Sequence, residues 1–149
     1  MKNSEPVTSN DRHYPFKLFS AGWITAATYL GGPLAGVYML SKNFKRLKMK
    51  NEAESSWRIG LLLSIIFITG LIFVPQEALD FIPNSLFPIL YTAIIAWYVH
   101  RSQNEKIQKF LDEGGKKESG WRILGIIILS IIISIAYFLT VGLLFIDFV

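Results

Sequence analysis

Four long stretches of the chain, Phe19 to Leu40, Ile59 to Val74, Leu86 to Val99 and Ile123 to Ile146, contain no Asp, Glu, Lys, Arg or His. A hydrocarbon core of about 30 Å takes roughly 20 helical residues at about 1.5 Å each, so the first and fourth stretches are long enough to cross alone. The second and third reach that length by recruiting flanking residues. These are Trp57 and Arg58 below the second, with Arg58 snorkelling its charge to the headgroups, and the segment from Phe81 below the third. Spanning strands are excluded, because backbone groups in lipid must bond internally and barrel strands would alternate in polarity. The pattern predicts an all-α polytopic membrane protein. Its four transmembrane helices form two parallel-oriented helical hairpins, about 19–74 and 83–146, with cytoplasmic connections 41–58 and 100–122. A polar outer tail, 1–18, precedes this single bundle of residues 19–149.

The connections carry helical patterning at their edges. From His100 the third helix is predicted to continue to Asp112, with Ile107, Phe110 and Leu111 at helical spacing and Gly114-Gly115 as the stop. The first continues through Asn43, Phe44 and Leu47, with Lys42, Lys45 and Lys48 around them. Such apolar stripes dock to the bilayer, to each other or to a partner. The chain also repeats itself: Glu54-Ser55-Ser56-Trp57-Arg58-Ile59 returns as Glu118-Ser119-Gly120-Trp121-Arg122-Ile123. Each copy is expected to lead into an outward-going helix, with Ser as cap, Trp at the headgroups and Arg on phosphate. Two hairpins related in this way would pack about a pseudo-two-fold axis along the membrane normal. The match fits an old duplication and equally a physical solution reached twice.

Charge distribution turns this pattern into a topology. Residues 41–58 and 100–122 carry six Lys and Arg each, the 75–85 turn none and the N-terminal tail three. The two basic connections therefore face the cytoplasm, and with four crossings both termini lie outside. Lys17, close to the first stretch, runs against that orientation. Trp57, Trp97 and Trp121 fall at the inner boundary and Trp23 near the outer one, where amphipathic rings anchor helices; Arg58 and Arg122 join them as interface residues. The net charge of +4 is accounted for by basic cytoplasmic loops, and no nucleic-acid partner is expected. With 149 residues, 52% of them apolar, and a mean hydropathy of +0.40, one small helical bundle fits and a separate soluble domain does not. The absence of cysteine excludes disulfides, thiolate metal sites and a thiol nucleophile. The first stretch is about twice the length of a signal-peptide core and reads as a retained helix.

The most unusual local sequence is Gly31-Gly32-Pro33-Leu34-Ala35-Gly36, in the middle of the first stretch. Gly32 and Gly36 make GxxxG, a face that lets another helix approach closely, while Pro33 removes a backbone donor and kinks the helix. Gly31, Gly32, Pro33 and Gly36 are thus candidate packing or hinge residues. Thr25, Thr28 and Tyr29 lie just outward of the kink, placed to satisfy freed carbonyls or to line a small polar cavity. Weaker small-residue pairs occur at Gly60 with Ser64 and at Ser130 with Ser134.

The parts an enzyme requires are missing. No carboxylate cluster, paired histidine or activated nucleophile occurs in the apolar stretches, and no catalytic residue, cofactor or metal site is expected. In the four-crossing arrangement His13 and His100 sit on opposite faces and cannot share a metal. The acidic pairs Glu52/Glu54 and Asp112/Glu113 lie among lysines as solvated charge. Ion-coupled transport is disfavoured, since intramembrane ionisable residues usually mark such pathways.

The GGPLAG segment, with Asn43-Phe44-Lys45-Arg46-Leu47 after it and Pro83-Asn84-Ser85 later, resembles uncharacterised bacterial four-helix inner-membrane proteins with a GGPLAG-type first helix. Phe44-Lys45 stands where Tyr-Arg is common in that group. The resemblance implies a bacterial cytoplasmic membrane and no assigned activity. Two functional expectations follow from the residues. One is a non-enzymatic protein acting through helix packing and partner contact, by self-association or with another membrane protein, as a subunit, scaffold or immunity-type protein. The other is a small oligomeric transporter or channel for a neutral or lipid-like substrate, built round the kinked first helix.

Overall fold

The computed structural model describes residues 14–75, 77, 83 and 85–145. Of these, 82% are helical. There are five helices among the described residues: α1 (Ala21–Arg46), α2 (Lys50–Phe73), α3 (Leu86–Ser102), α4 (Asn104–Asp112) and α5 (Gly120–Phe145). One departure from the all-α expectation is a pair of two-residue strands, β1 (Lys17–Leu18) and β2 (Lys116–Lys117), joined in parallel register with Lys17 opposite Lys116.

The first apolar stretch does not run through. Gly32 takes φ 78° and ψ 177°, a conformation open essentially only to glycine, and α1 breaks there into halves 21–31 and 33–46. Pro33 opens the second half, at a position where its missing N–H costs nothing and its fixed φ suits a helix. The halves fold back on each other. The Asn43 side chain donates to the Phe19 carbonyl at 2.7 Å and accepts from the Phe19 N–H at 2.9 Å. A straight helix would hold these residues about 36 Å apart. The start and the end of α1 therefore lie side by side, so the first stretch is not the straight crossing helix that the four-crossing arrangement expects. The apolar length was right for a span, but contacts between its ends decide its path.

α1 is also the hub of the fold, packing against α2, α3 and α5, whereas α3 and α5 scarcely touch. The second predicted hairpin is thus not a packed unit, and the pseudo-two-fold arrangement is absent. The main core gathers Ile24, Ala27, Ala35, Met39 and Phe44 of α1 with Ala53, Val99, Ile123 and Ile127 from the other three helices.

α2 and α5 are long and apolar enough to cross a membrane. Only 6% and 17% of their most apolar windows are buried, so these helices turn most of their side chains outward. α2 starts at Lys50, well before the second apolar stretch, so Ser55 and Ser56 are interior to a helix and cap nothing. The predicted continuation of the third helix is interrupted at Gln103, and α4 follows as a separate helix ending at Gly114-Gly115. Its apolar stripe, Ile107, Phe110 and Leu111, packs on Leu18, Tyr14, Phe16 and Leu47. From residue 14 onward the N-terminal segment is therefore part of the bundle, not a separate polar tail.

Candidate functional site

The turn at Gly32 arranges the GGPLAG residues differently from a GxxxG face. A Cβ at Gly32 would meet nothing within 4 Å, so its role is conformational. Gly31 and Gly36 provide the close approaches. A Cβ at Gly31 would lie 3.1 Å from the Ile127 backbone of α5, and one at Gly36 would overlap the Thr28 hydroxyl across the turn. Gly60 does the same between α2 and α1, where an added Cβ would overlap Val37. Close packing at these glycines is real, but the paired face of Gly32 with Gly36 disappears once the helix is broken between them.

The hydroxyls near the turn do not converge. Thr28 is fully buried and donates to the Ile24 carbonyl at 2.7 Å, and Thr25 donates to the Ala21 carbonyl at 3.0 Å. Both partners lie upstream of the break, one turn back in the same half-helix. Tyr29 is half-exposed. None of the three lines either of the two crevices beside the hairpin. Those crevices are apolar. One of about 540 Å³ lies among Leu34, Tyr38, Trp57, Leu129 and Ile133, with Arg122 at its edge. Another of about 340 Å³ lies among Pro33, Val37, Phe67, Tyr91 and Ile94.

Polar organisation concentrates where the ends of α1 meet. Asn43 and Gln103 are both fully buried, and their side chains close a network: the Gln103 amide donates to the Leu40 carbonyl at 2.9 Å while Asn43 clasps Phe19. Buried amides keep such positions only when their hydrogen bonds are made, and Gln103 makes them at the junction where the third helix breaks. Beside them Arg46 pairs with Glu118 at 2.7 Å, with side-chain exposures of 15% and 5%, donates to the Lys17 carbonyl, and lies over the Phe19 ring. Arg122 reaches the same carboxylate at 3.2 Å. The Glu118 N–H donates to the Leu18 carbonyl, extending the β1–β2 pairing. These residues fasten the N-terminal segment, the hairpin, α3 and α5 together. The sequence pattern places Asn43 with Phe44 and Leu47 on the continuation of the first helix and does not single out Gln103; two amides at helical spacing with apolar neighbours were the available signal.

Four segments thus converge at one end: residues 14–20, the end of α1 with the start of α2, the end of α3 with α4, and the start of α5. Of the fifteen Lys and Arg, Lys2 and Arg12 lie outside the described residues, and the other thirteen all belong to these segments or to the helical turns beside them. Lys17 ceases to be an exception. Trp23 also moves: it sits three residues after the Ser20 cap, at the same end as Trp57, Trp97 and Trp121. All four tryptophans are substantially exposed, and Trp97 lies under the Arg101 guanidinium. Arg58 is exposed and pairs with Glu54 at 3.4 Å. His13 lies outside the described residues, but Tyr14 next to it belongs to this end, so the membrane-thickness argument separating His13 from His100 no longer applies. Among the described residues no group of three His, Asp or Glu side chains is placed to hold a metal ion.

The same end carries two matching helix terminations. After α1, the Met49 N–H bonds the Phe44 carbonyl and the Lys48 N–H bonds Lys45; after α4, Gly115 bonds Phe110 and Gly114 bonds Leu111. Both are Schellman turns, whose penultimate position takes positive φ and favours glycine. Gly114 fills it at φ 89°, but the first turn puts Lys48 there at φ 62°. A side chain in that region costs roughly 1 kcal/mol relative to glycine.

Fold and site together define an all-helical protein with two helices long and apolar enough to cross a membrane, assembled round a doubled-back hairpin and basic at one end. Compared with family models, curated proteins and solved structures, the chain matches none.

Proposed function

We propose that this is a non-enzymatic integral membrane protein of the bacterial cytoplasmic membrane, working by lateral contact as a subunit or scaffold. In this reading α2, α3 and α5 cross the bilayer, and α1 is a re-entrant hairpin that enters from the cytoplasmic face and leaves by it. α2 departs from the basic end and Gln103 returns to it, so if α2 crosses, α3 crosses back despite its seventeen residues. α5 then leaves for the far side. Positive charge at one end assigns that end to the cytoplasm.

The observation carrying the contact reading is the unfilled outer half. Half-helices of residues 21–31 and 33–46 reach about 16 and 21 Å into a hydrocarbon core of about 30 Å. At and beyond the hairpin tip these helices meet through Phe67 with Phe87 and Tyr91, and through Thr69 with Tyr137 at 2.8 Å. Large apolar side chains there, such as Leu86, Ile89, Leu90, Phe138, Leu139 and Leu143, face outward. Gly70 and Gly142 leave open space where a second helix can approach closely. A tagged protein, crosslinked in its native membrane and examined by mass spectrometry, tests this. A stoichiometric foreign protein or self-crosslinked copies are the expected products; a chain that crosslinks to nothing overturns the reading.

The two apolar crevices beside the hairpin favour a second reading, an oligomeric transporter for a neutral or lipid-like substrate. Liposomes containing folded, oligomeric protein that move neither solute nor lipid would remove it.

A further inference from the structure

We infer that the basic end contains a binding pocket for a phosphate-bearing ligand, between the end of α1, α4 and residues 14–16. The pocket encloses about 740 Å³. It is separate from the lateral surfaces argued above and does not depend on them.

Lys48, Lys106 and Lys109 are among the residues that line it. None of the three forms an ion pair; Lys106 Nζ rests 3.2 Å from the Met49 sulfur. Arg46 also borders the pocket, but its charge is taken up by Glu118. Among the described lining residues the one carboxylate is Glu113, which accepts a hydrogen bond from the Tyr14 hydroxyl. Among the described lining residues, apart from the paired Arg46, three lysines therefore stand against one carboxylate. Its wall is aromatic: Phe16 and Phe110 stack with centroids 5.2 Å apart, and Tyr14 tilts against Phe110 at 4.6 Å. Ammonium groups above an apolar wall suit a phosphate attached to an apolar or flat body.

Basic residues at a cytoplasmic membrane face are ordinary, so charge alone would not single out this place. Backbone geometry does. Of two Schellman turns bordering one cavity, one uses glycine in the positive-φ position and the other retains Lys48 there at φ 62°. Lys48 thus combines a backbone conformation that favours glycine with a place in the pocket lining, which is the pairing a ligand-contacting side chain would account for.

Phospholipid headgroups and free phosphate esters share this chemistry, so two probes are needed. The full-length protein is placed in phosphatidylcholine nanodiscs. Phosphatidylglycerol is then titrated into them, with bound lipid read by native mass spectrometry, and trinitrophenyl-ATP is titrated with a fluorescence readout. At least one probe is expected to bind. Lys48→Gly, which relaxes the backbone, is expected to weaken that binding about tenfold without lowering the melting temperature, and Lys109→Gln to weaken it similarly. Arg58→Gln, at the same end but outside the pocket, should leave it unchanged. Binding of phosphatidylglycerol alone assigns a headgroup, and of the nucleotide alone a soluble ester. Binding of neither probe overturns the site, as does an equal loss in Arg58→Gln, which would reduce it to general electrostatic attraction.

Discussion

Glu54 and Glu118 occupy matching places in the two copies of the ESxWRI motif, and each faces an arginine four residues on. Their surroundings differ. Glu54 and Arg58 are 69% and 79% exposed, the regime in which an ion pair contributes about 0–0.5 kcal/mol. Glu118 is 5% exposed and shares its carboxylate between Arg122 and the 15%-exposed Arg46. Removing its charge leaves Arg46 buried without compensation, a loss on the order of 3 kcal/mol. Glu118→Gln is therefore expected to lower the melting temperature of the purified protein by about 5–10 °C, and Glu54→Gln by a degree or so. Equal shifts would show that burial does not distinguish the pairs. The six-residue match placed each arginine on phosphate at a helix entry. It carried no information about Arg46, which arrives from another element, so the residue that turns a surface pair into a structural clasp was invisible to it.

At the scale of the element, α1 is set by two devices. One is the glycine-only conformation at Gly32, where Gly32→Ala should cost on the order of 1–3 kcal/mol. The other is the contact between Thr28 and Gly36, eight residues apart in sequence and opposed across the turn. Gly36→Ala is expected to destabilise the protein by pressing a methyl group into the Thr28 hydroxyl, while Gly36→Ala combined with Thr28→Ala should recover most of the loss. The comparison is a double-mutant cycle of melting temperatures in detergent, and strict additivity would mean that the two half-helices are not in contact. Hydropathy made the apolar stretch visible, and Gly32-Pro33 marked where it bends. The extent of the bend was hidden, because a modest kink and a full reversal leave the same run of apolar residues. The reversal is fixed by Asn43 on Phe19 and Arg46 on Glu118, pairings between distant residues that no local period encodes. Lys17, a charge that runs against a first span leading inward from outside, was the local trace of it.

For the whole molecule the reversal changes the parity of the fold. Four crossings bring the ends of the chain to one face; a re-entrant hairpin followed by three crossings separates them. The electrostatics favour the second arrangement, since it places all thirteen described Lys and Arg on a single side and needs none carried across. It also puts Trp23, Trp57, Trp97 and Trp121 in one belt, which would hold the hairpin and the spanning helices at a common depth. A reporter active only in the cytoplasm should accordingly work when fused ahead of Met1 and fail when fused after Val149, with a periplasm-specific reporter giving the reverse. Cytoplasmic activity at both ends, or at neither, would contradict a three-crossing fold. In the proposed three-crossing arrangement the outer leaflet would hold only the unfilled ends of α2, α3 and α5, while the clasp, the belt and the basic pocket would all lie at the inner one. A partner in the bilayer would thus meet α2, α3 and α5 beyond the hairpin tip, and a soluble or headgroup ligand would meet Lys48, Lys106 and Lys109. Mutations on one surface should leave the other intact.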